Sequence, residues 1–291
     1  MNISESFPIE IHQKMLRDQV RNQAYSKAIR STLVPGETTV EIGTGTGILT
    51  QFALLAGAAQ VHTIEYFSKV SKIAASFLEQ SKHQIQFINS RSYDVTLYDS
   101  PRTLVTETIG QIGPEENIVE LCFDFKRRHP SIEQILPYEL SVFAQPIWSS
   151  AAKTYAQSIV DDFCSAFDNT SYVNTVKTQI LEEISNQIHT SDLNDSTEAG
   201  KTHLLAQYRL GTDSNSRFNK TLDISSIAEG NWNAVHLFFR AQLTPEIELS
   251  THFSKPSTHW GHSFVLKPKT GKARLNISFV PGTQAVTVNW I

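Results

Sequence analysis

From Ile11 to Leu33 the apolar side chains Met15, Leu16, Val20, Ala24, Ala28 and Ile29 recur at helical spacing, with no glycine or proline between them. That pattern predicts one helix. Thr38 to Ile42 is a short apolar run closed by glycines and predicts a strand. Helical spacing returns from Ile48 to Ala59, followed by strand-like Gln60 to Glu65, a helix over Ser68 to Glu79 and a strand over Ile85 to Asn89. Thr103 to Glu107 predicts a fourth strand. Glu115 to Arg128 predicts a helix with Ile118, Val119, Leu121, Cys122 and Phe125 on one side. Strands alternating with helices predict a doubly wound parallel sheet.

After Pro137 the texture changes. Glu139 to Gln145, His203 to Tyr208, Ala234 to Phe239, Ile247 to Phe253, Arg274 to Phe279 and Ala285 to Trp290 are short, often alternating segments. They predict an antiparallel barrel or sandwich. Ala151 to Ile188 interrupts them with helical spacing (Tyr155, Ile159, Phe163, Phe167, then Val176, Ile180, Ile184), and Asp192 to Gly200 reads as a polar loop. The expected organisation is a first domain over 1–136 and a β-barrel-like second domain over 137–291, with a helical insertion at about 151–190. Two unlike lobes predict a site in the cleft between them.

Composition narrows this further. Of 291 residues 40% are hydrophobic and 19% charged, which suits a folded chain and excludes disorder as the general state. A net charge of −4 gives no general footprint for nucleic acid. The first eight residues carry no basic or apolar leader, and no apolar run approaches the ~20 residues that span a bilayer, so a cytoplasmic protein that avoids membranes is expected. Cys122 and Cys164 lie in apolar helical patterns and read as buried free thiols. The ten histidines are scattered, and no metal-ligand spacing is visible.

The chemistry begins at Glu41-Ile-Gly-Thr-Gly-Thr-Gly-Ile48, between a strand and a helix. Gly43, Gly45 and Gly47 let the backbone turn sharply and approach a ligand, and Glu65, at the end of the next strand, stands where an acidic residue accepts hydrogen bonds from a ribose. Ile48 replaces the third glycine of a dinucleotide fingerprint, and no Gly-Lys-Ser/Thr follows to make a phosphate loop. Glu41 suits a cationic ligand such as the amino group or sulfonium of S-adenosylmethionine. The competing reading is a tight turn with no ligand. Further on, Glu107 ends the fourth strand and Glu116 follows nine residues later across a loop containing Gly110. Two such carboxylates repel unless a cation lies between them, and a guanidinium is a forked, planar one. For Glu116 the plainer reading is a helix-start residue that complements the helix dipole.

These motifs together resemble the protein arginine methyltransferases. The resemblance covers Ile11 to Tyr25, the glycine loop Val40 to Leu49, the glutamate pair Glu107 and Glu116, and Thr258-His259-Trp260, roughly residues 8–148 and 233–291. It implies a Rossmann-like domain followed by the barrel, with S-adenosylmethionine as cofactor. Arg21 would then pair with the cofactor carboxylate, Met15 would pack beside the sulfonium, Glu65 would bind the ribose, and the backbone near Ser92 would bind the adenine. Glu107 and Glu116 would clamp the guanidinium, Asp18 and His259 would take up the released proton, and Trp260 would shape the substrate entrance. The insertion falls where the family has its dimerisation arm, so a homodimer is implied. The departures lie on the acceptor side. The family's N-terminal aromatic block is not evident around Ser4 to Pro8; Thr108, Ile109 and Gln111 replace Trp, Met and Tyr of its glutamate loop; Ile118 replaces a methionine; and Tyr93 stands at the adenine-contacting acidic position, leaving Asp94 as a substitute. The implied activity is methylation of a guanidinium in free arginine, a guanidino metabolite, or a peptide or protein. The alternatives are an N- or O-methyltransferase of another small or peptide substrate, and a catalytically inactive binding scaffold.

Overall fold

The computed structural model describes residues 8–166 and 173–291. The residues around Ser4, where the aromatic block was sought, lie outside them. Two helices, not one, open the described chain: α1 (Ile9–Arg17) and α2 (Gln19–Thr32). Between them Asp18 leaves helical dihedrals (φ −72°, ψ 90°) and its carboxylate accepts from the Arg21 N–H at 2.9 Å. Hydrophobic spacing runs through the break undisturbed, while a capping aspartate competes with helix continuation. The break is therefore invisible to periodicity and visible only in the cap.

The parallel sheet contains β1 (Thr38–Ile42), β2 (Gln60–Glu65), β3 (Ile85–Asn89), β4 (Thr103–Thr106) and β5 (Gln134–Leu136), in the order β3-β2-β1-β4-β5. The intervening helices are α3 (Ile48–Leu55), α4 (Ser68–Phe77) and α5 (Ile118–Arg128). The strand order reverses beside β1, and such a switch point is where open sheets of this type bind ligands. β5 was not anticipated, because three residues are too short to show a period.

The chain then turns antiparallel. β6 (Glu139–Trp148) leads into α6 (Ser150–Ser165) and α7 (Val173–Ser185), followed by β7 (Ile188–Ser191), β8 (Thr197–Glu198), β9 (His203–Arg209) and β10 (Phe218–Asp223). A short α8 (Ile224–Ile227) precedes β11 (Ala234–Thr244), β12 (Ile247–Ser250), β13 (His262–Leu266), β14 (Arg274–Phe279) and β15 (Thr287–Trp290). The barrel-like half is two antiparallel sheets: seven strands centred on β6 and β11, and a three-stranded sheet β10-β14-β15. β13 escaped sequence reading because all five of its residues are buried, which removes the alternation that marks a half-buried strand.

One hydrophobic cluster runs from Tyr25 on α2 through Val40 and Leu104 of the parallel sheet to Val142, Phe239 and Trp290 of the antiparallel sheets. A smaller cluster of Ile147, Ala152, Ile184 and Phe264 seats α6 and α7 on the seven-stranded sheet. Cys122 is a buried free thiol, but Cys164 is only half-buried, since the end of α6 is less covered than its periodicity implied. Among the described residues no helix is long and apolar enough to cross a membrane.

Candidate functional site

A cavity of about 850 Å³ opens across the carboxyl ends of β1 to β4 and is closed on its far side by the antiparallel half. Met15, Gly43, Gly45, Glu65, Ser92, Glu107, Glu116, His259 and Trp260 all line it, so residues from six separate stretches of sequence meet there. Asp18, Arg21, Glu41 and Gly47 do not line it.

The glycine loop is built around Glu65. One Glu65 oxygen accepts from the Gly45 N–H at 2.9 Å and the other from the Phe67 N–H at 2.8 Å, fixing the loop against the end of β2. Burial pushes the Glu65 carboxyl above the usual carboxylate range, while these backbone bonds pull the other way. Gly47 caps α3 with φ 87°, and a Cβ there would come within 2.7 Å of Leu78 Cδ1. The third glycine thus has a backbone and packing reason and stands off the cavity wall.

Glu41 departs from its expected role. It is buried under the loop, accepts a hydrogen bond from Thr50 Oγ1, and burial pushes its carboxyl up to about 8. It is therefore protonated at neutral pH and does not line the cavity.

Arg21 also departs from expectation. Its Nε and Nη2 both donate to Glu107 Oε2, at 2.8 and 2.5 Å, and Nη1 donates to Asn22 Oδ1 at 2.8 Å. Both ion-pair partners are 3% exposed. Burial opposes the guanidinium charge, but the Glu107 carboxylate outweighs it and raises the Arg21 pKa. Arg21 is paired with Glu107 and does not line the cavity.

The loop after β4 folds back as its spacing suggested. The Gly110 N–H donates to the Gly113 carbonyl at 2.8 Å, and the Ile112 N–H donates to Glu115 Oε1 at 2.8 Å. A Cβ on Gly110 would lie 2.5 Å from Glu115 Oε2. This closure brings Glu107 and Glu116 to one cavity. Glu116 keeps solvent access through the cavity and is packed round by protein elsewhere. Loss of water around it, with the Glu107 and Glu115 charges adding, pushes its carboxyl up to about 8. In place of a simple helix-start residue, it sits in a tight turn at Pro114–Glu116 that ends at Asn117, ahead of α5.

On the opposite wall, Asp18 Oδ2 accepts from the His259 backbone N–H at 2.8 Å and lies 2.9 Å from His259 Nδ1. Burial works against the Asp18 charge, yet the bonds from the His259 side chain and from the Arg21 and His259 backbones hold its pKa below the usual range. Asp18 therefore orients His259 from behind. Trp260 is buried and donates from Nε1 to the Ile109 carbonyl at 3.0 Å, while Gln111 Nε2 donates to the Trp260 carbonyl. These two bonds tie the glutamate loop to the Thr-His-Trp loop across the two halves.

Sequence reasoning missed several wall residues. Tyr93 itself lines the cavity, whereas the substitute Asp94 is exposed elsewhere, because the turn at Ser92–Asp94 points successive side chains apart. Gln111 was noted only as a departure. Glu115, which does not line the cavity but holds the glutamate loop through the Ile112 N–H, could have been suspected from its place beside Glu116. Gln284, between β14 and β15, also lines the cavity and had no sequence signal. No residue of α6 or α7 does, so among the described residues the insertion does not cover the cavity.

Comparison with known proteins agrees with this geometry. No family model matches the chain. It is 40% identical over 74 residues to the probable protein arginine N-methyltransferase 3 of Arabidopsis thaliana, a match covering 25% of this chain and 12% of that protein. It is 27% identical over 150 residues to the probable protein arginine N-methyltransferase 6.2 of Oryza sativa subsp. indica, covering 49% and 37%. The chain thus matches well under half the length of these curated relatives. The fold is similar to a solved structure of PRMT6-SAH, with a TM-score of 0.71 at 17% identity over 98% of this chain and 100% of that one. The chain is protein arginine methyltransferase-like, in sequence over up to half its length and in fold over nearly all of it.

Proposed function

We propose that this protein arginine methyltransferase-like chain transfers a methyl group from S-adenosylmethionine to a nitrogen of an arginine guanidinium, in a peptide or protein. The observation that carries the reading is the meeting of Glu107 and Glu116 with the glycine loop and Glu65 on one cavity at the sheet's switch point. The residues present fit the cofactor. Gly43 and Gly45 leave room at the end of β1, Glu65 retains lone pairs for ribose hydroxyls beyond its two backbone bonds, the Ser92 backbone lies where β3 ends, and Met15 faces the same space. When bound, the cofactor supplies an electrophilic methyl group. Its carboxylate would reach Arg21 only in competition with Glu107, which Arg21 pairs with behind the wall.

The chain's own residues supply alignment and charge. An arginine guanidinium is a weak nucleophile, since its lone pairs are delocalised and its pKa exceeds ~12. Glu107 and Glu116 would hold it from two sides and draw positive charge away from the attacking nitrogen. A guanidinium arriving at Glu116 favours the carboxylate and expels its proton. His259, held by Asp18, is placed to take the proton lost after transfer. Trp260 shapes the wall between them. The raised Glu116 pKa supports a second reading, an uncharged nitrogen or oxygen nucleophile, since a protonated clamp suits one. For assembly we propose a homodimer through α6 and α7.

Incubation with labelled S-adenosylmethionine and, separately, arginine peptides, free L-arginine and cell lysate tests the reading by mass spectrometry. Label is expected on arginine side chains of peptide. Label on another nucleophile selects the second reading, and no transfer with no cofactor binding rejects both.

A further inference from the structure

Among the described residues only two non-glycine residues have positive φ, Asn117 (60°) and Gln284 (58°). They are far apart in sequence, yet the elements that carry them touch: the Gly282 N–H donates to Asn117 Oδ1 at 3.0 Å. Asn117 follows Glu116 directly, and Gln284 lines the same cavity as Glu116. Left-handed backbone at residues other than glycine is costly and persists where the surroundings over-determine it, most often at functional sites.

The tip between β14 and β15 is exposed and tied by local hydrogen bonds. Thr283 Oγ1 donates to the Val280 carbonyl at 2.6 Å and to the Ala285 carbonyl at 3.3 Å, and the Thr283 N–H also reaches Val280 at 3.2 Å. Val286 is buried just beyond. Gln284 thus follows a hydrogen-bonded turn residue, with no hydrogen bond from its own carboxamide to the protein among the described residues. Glycine would serve this backbone better. Its side chain is exposed at the cavity and unpaired within the described chain, so its carboxamide is free to meet an acceptor that enters there.

We infer that Gln284 is an acceptor-specificity residue, which takes a backbone amide beside the target arginine. This rests on the reading of the cavity as a guanidinium methylation site. A carboxamide is neutral and offers one acceptor oxygen and two N–H donors, so it pairs reciprocally with a peptide group. It has no charge to offer the carboxylate and ammonium of a free amino acid. The inference therefore selects arginine within a peptide over free arginine, and places the peptide chain between the Glu116 turn and the β14–β15 tip.

The test uses the full chain with S-adenosylmethionine and two acceptors, a single-arginine peptide flanked by glycines and free L-arginine. Gln284→Gly removes the carboxamide and suits the left-handed backbone, and Gln284→Asn keeps a carboxamide in a residue that tolerates it. The KM for peptide is expected to rise about tenfold in Gln284→Gly, the effect of two ordinary hydrogen bonds, with cofactor Kd unchanged and partial recovery in Gln284→Asn. The preference for peptide over free arginine should fall by a similar factor. A peptide KM within about twofold of wild type, while the wild type transfers methyl normally, overturns the role of Gln284 and leaves the proposed function standing. A wild type that methylates neither acceptor overturns both.

Discussion

Arg21 and Glu107 share one buried carboxylate oxygen, so neither charge can be removed without stranding the other. Glu107→Gln should abolish transfer and also cost about 3–5 kcal/mol of stability, the usual price of an uncompensated buried charge. Because the cofactor carboxylate would give Arg21 a new partner, S-adenosylmethionine should stabilise Glu107→Gln more than wild type, which paired thermal melts would show. An equal shift in both proteins would mean that the cofactor does not reach Arg21. Glu41 and Glu116 act in the opposite sense. Each is pushed up to about 8 from a much lower unfolded value, so each contributes stability that is fully present at acid pH and lost as pH rises through about 8. Acceptor binding needs Glu116 charged, so kcat/KM for the acceptor should climb with pH to a limb near 8 while stability falls. The limb should survive in Glu41→Gln, which mimics the protonated acid; its loss there would assign it to Glu41. The positions of these carboxylates were legible from motif spacing. Their protonation was not, because it depends on burial and on side chains distant in sequence.

The break between α1 and α2 does two jobs through one side chain. Asp18 caps α2 with Oδ1 and holds the Thr-His-Trp loop with Oδ2. Asp18→Ala should therefore cost more than the ~1 kcal/mol of an ordinary cap, and should lower kcat by releasing His259. Its depressed pKa gives the linkage the opposite sign from Glu116: the stability it contributes is present above the ordinary aspartate range and lost as pH falls through its lowered value. Acid titration of the melting temperature should show that loss in wild type and not in Asp18→Asn, which keeps a capping side chain. In the glutamate loop, Gly110→Ala would drive a methyl into Glu115 and open the turn that presents Glu116. Transfer should collapse while cofactor binding, measured by calorimetry, stays within about twofold, since Gly110 packs on Glu115 whereas the glycine loop meets the glutamate loop only at Thr108. A matching loss of cofactor affinity would show that the two loops are one unit. At this scale β1 to β4 were readable because short apolar runs alternate with stretches of helical spacing. Asp18, β5 and β13 were not, because a cap, a three-residue strand and a wholly buried strand each lack periodicity.

The change of texture at Pro137 is real as topology, since the parallel sheet ends at Leu136 and antiparallel pairing begins at Glu139. It reads as two domains, and we propose that these share one core. Here one cluster passes from Tyr25 and Leu104 to Phe239 and Trp290 without a boundary, and the Gln111–Trp260–Ile109 bonds stitch the halves at the cavity. A fragment of residues 1–136 would expose the apolar side chains that now pack on the antiparallel sheets, and nothing on the parallel side could cover them. It should not fold alone, and the full chain should lose both halves in one transition. The helical insertion differs, because its own small cluster around Ile147, Ala152, Ile184 and Phe264 is separate from that core and it lines no part of the cavity. Phe163, on α6, is 52% exposed there. If α6 and α7 form the homodimer we propose, Phe163→Glu should shift sedimentation toward the monomer and leave the main thermal transition in place. Unchanged sedimentation would move the assembly surface elsewhere. Two separated melting transitions in the wild type, by contrast, would show that the shared core does not couple the halves, and the cleft would then be a hinge between independent units.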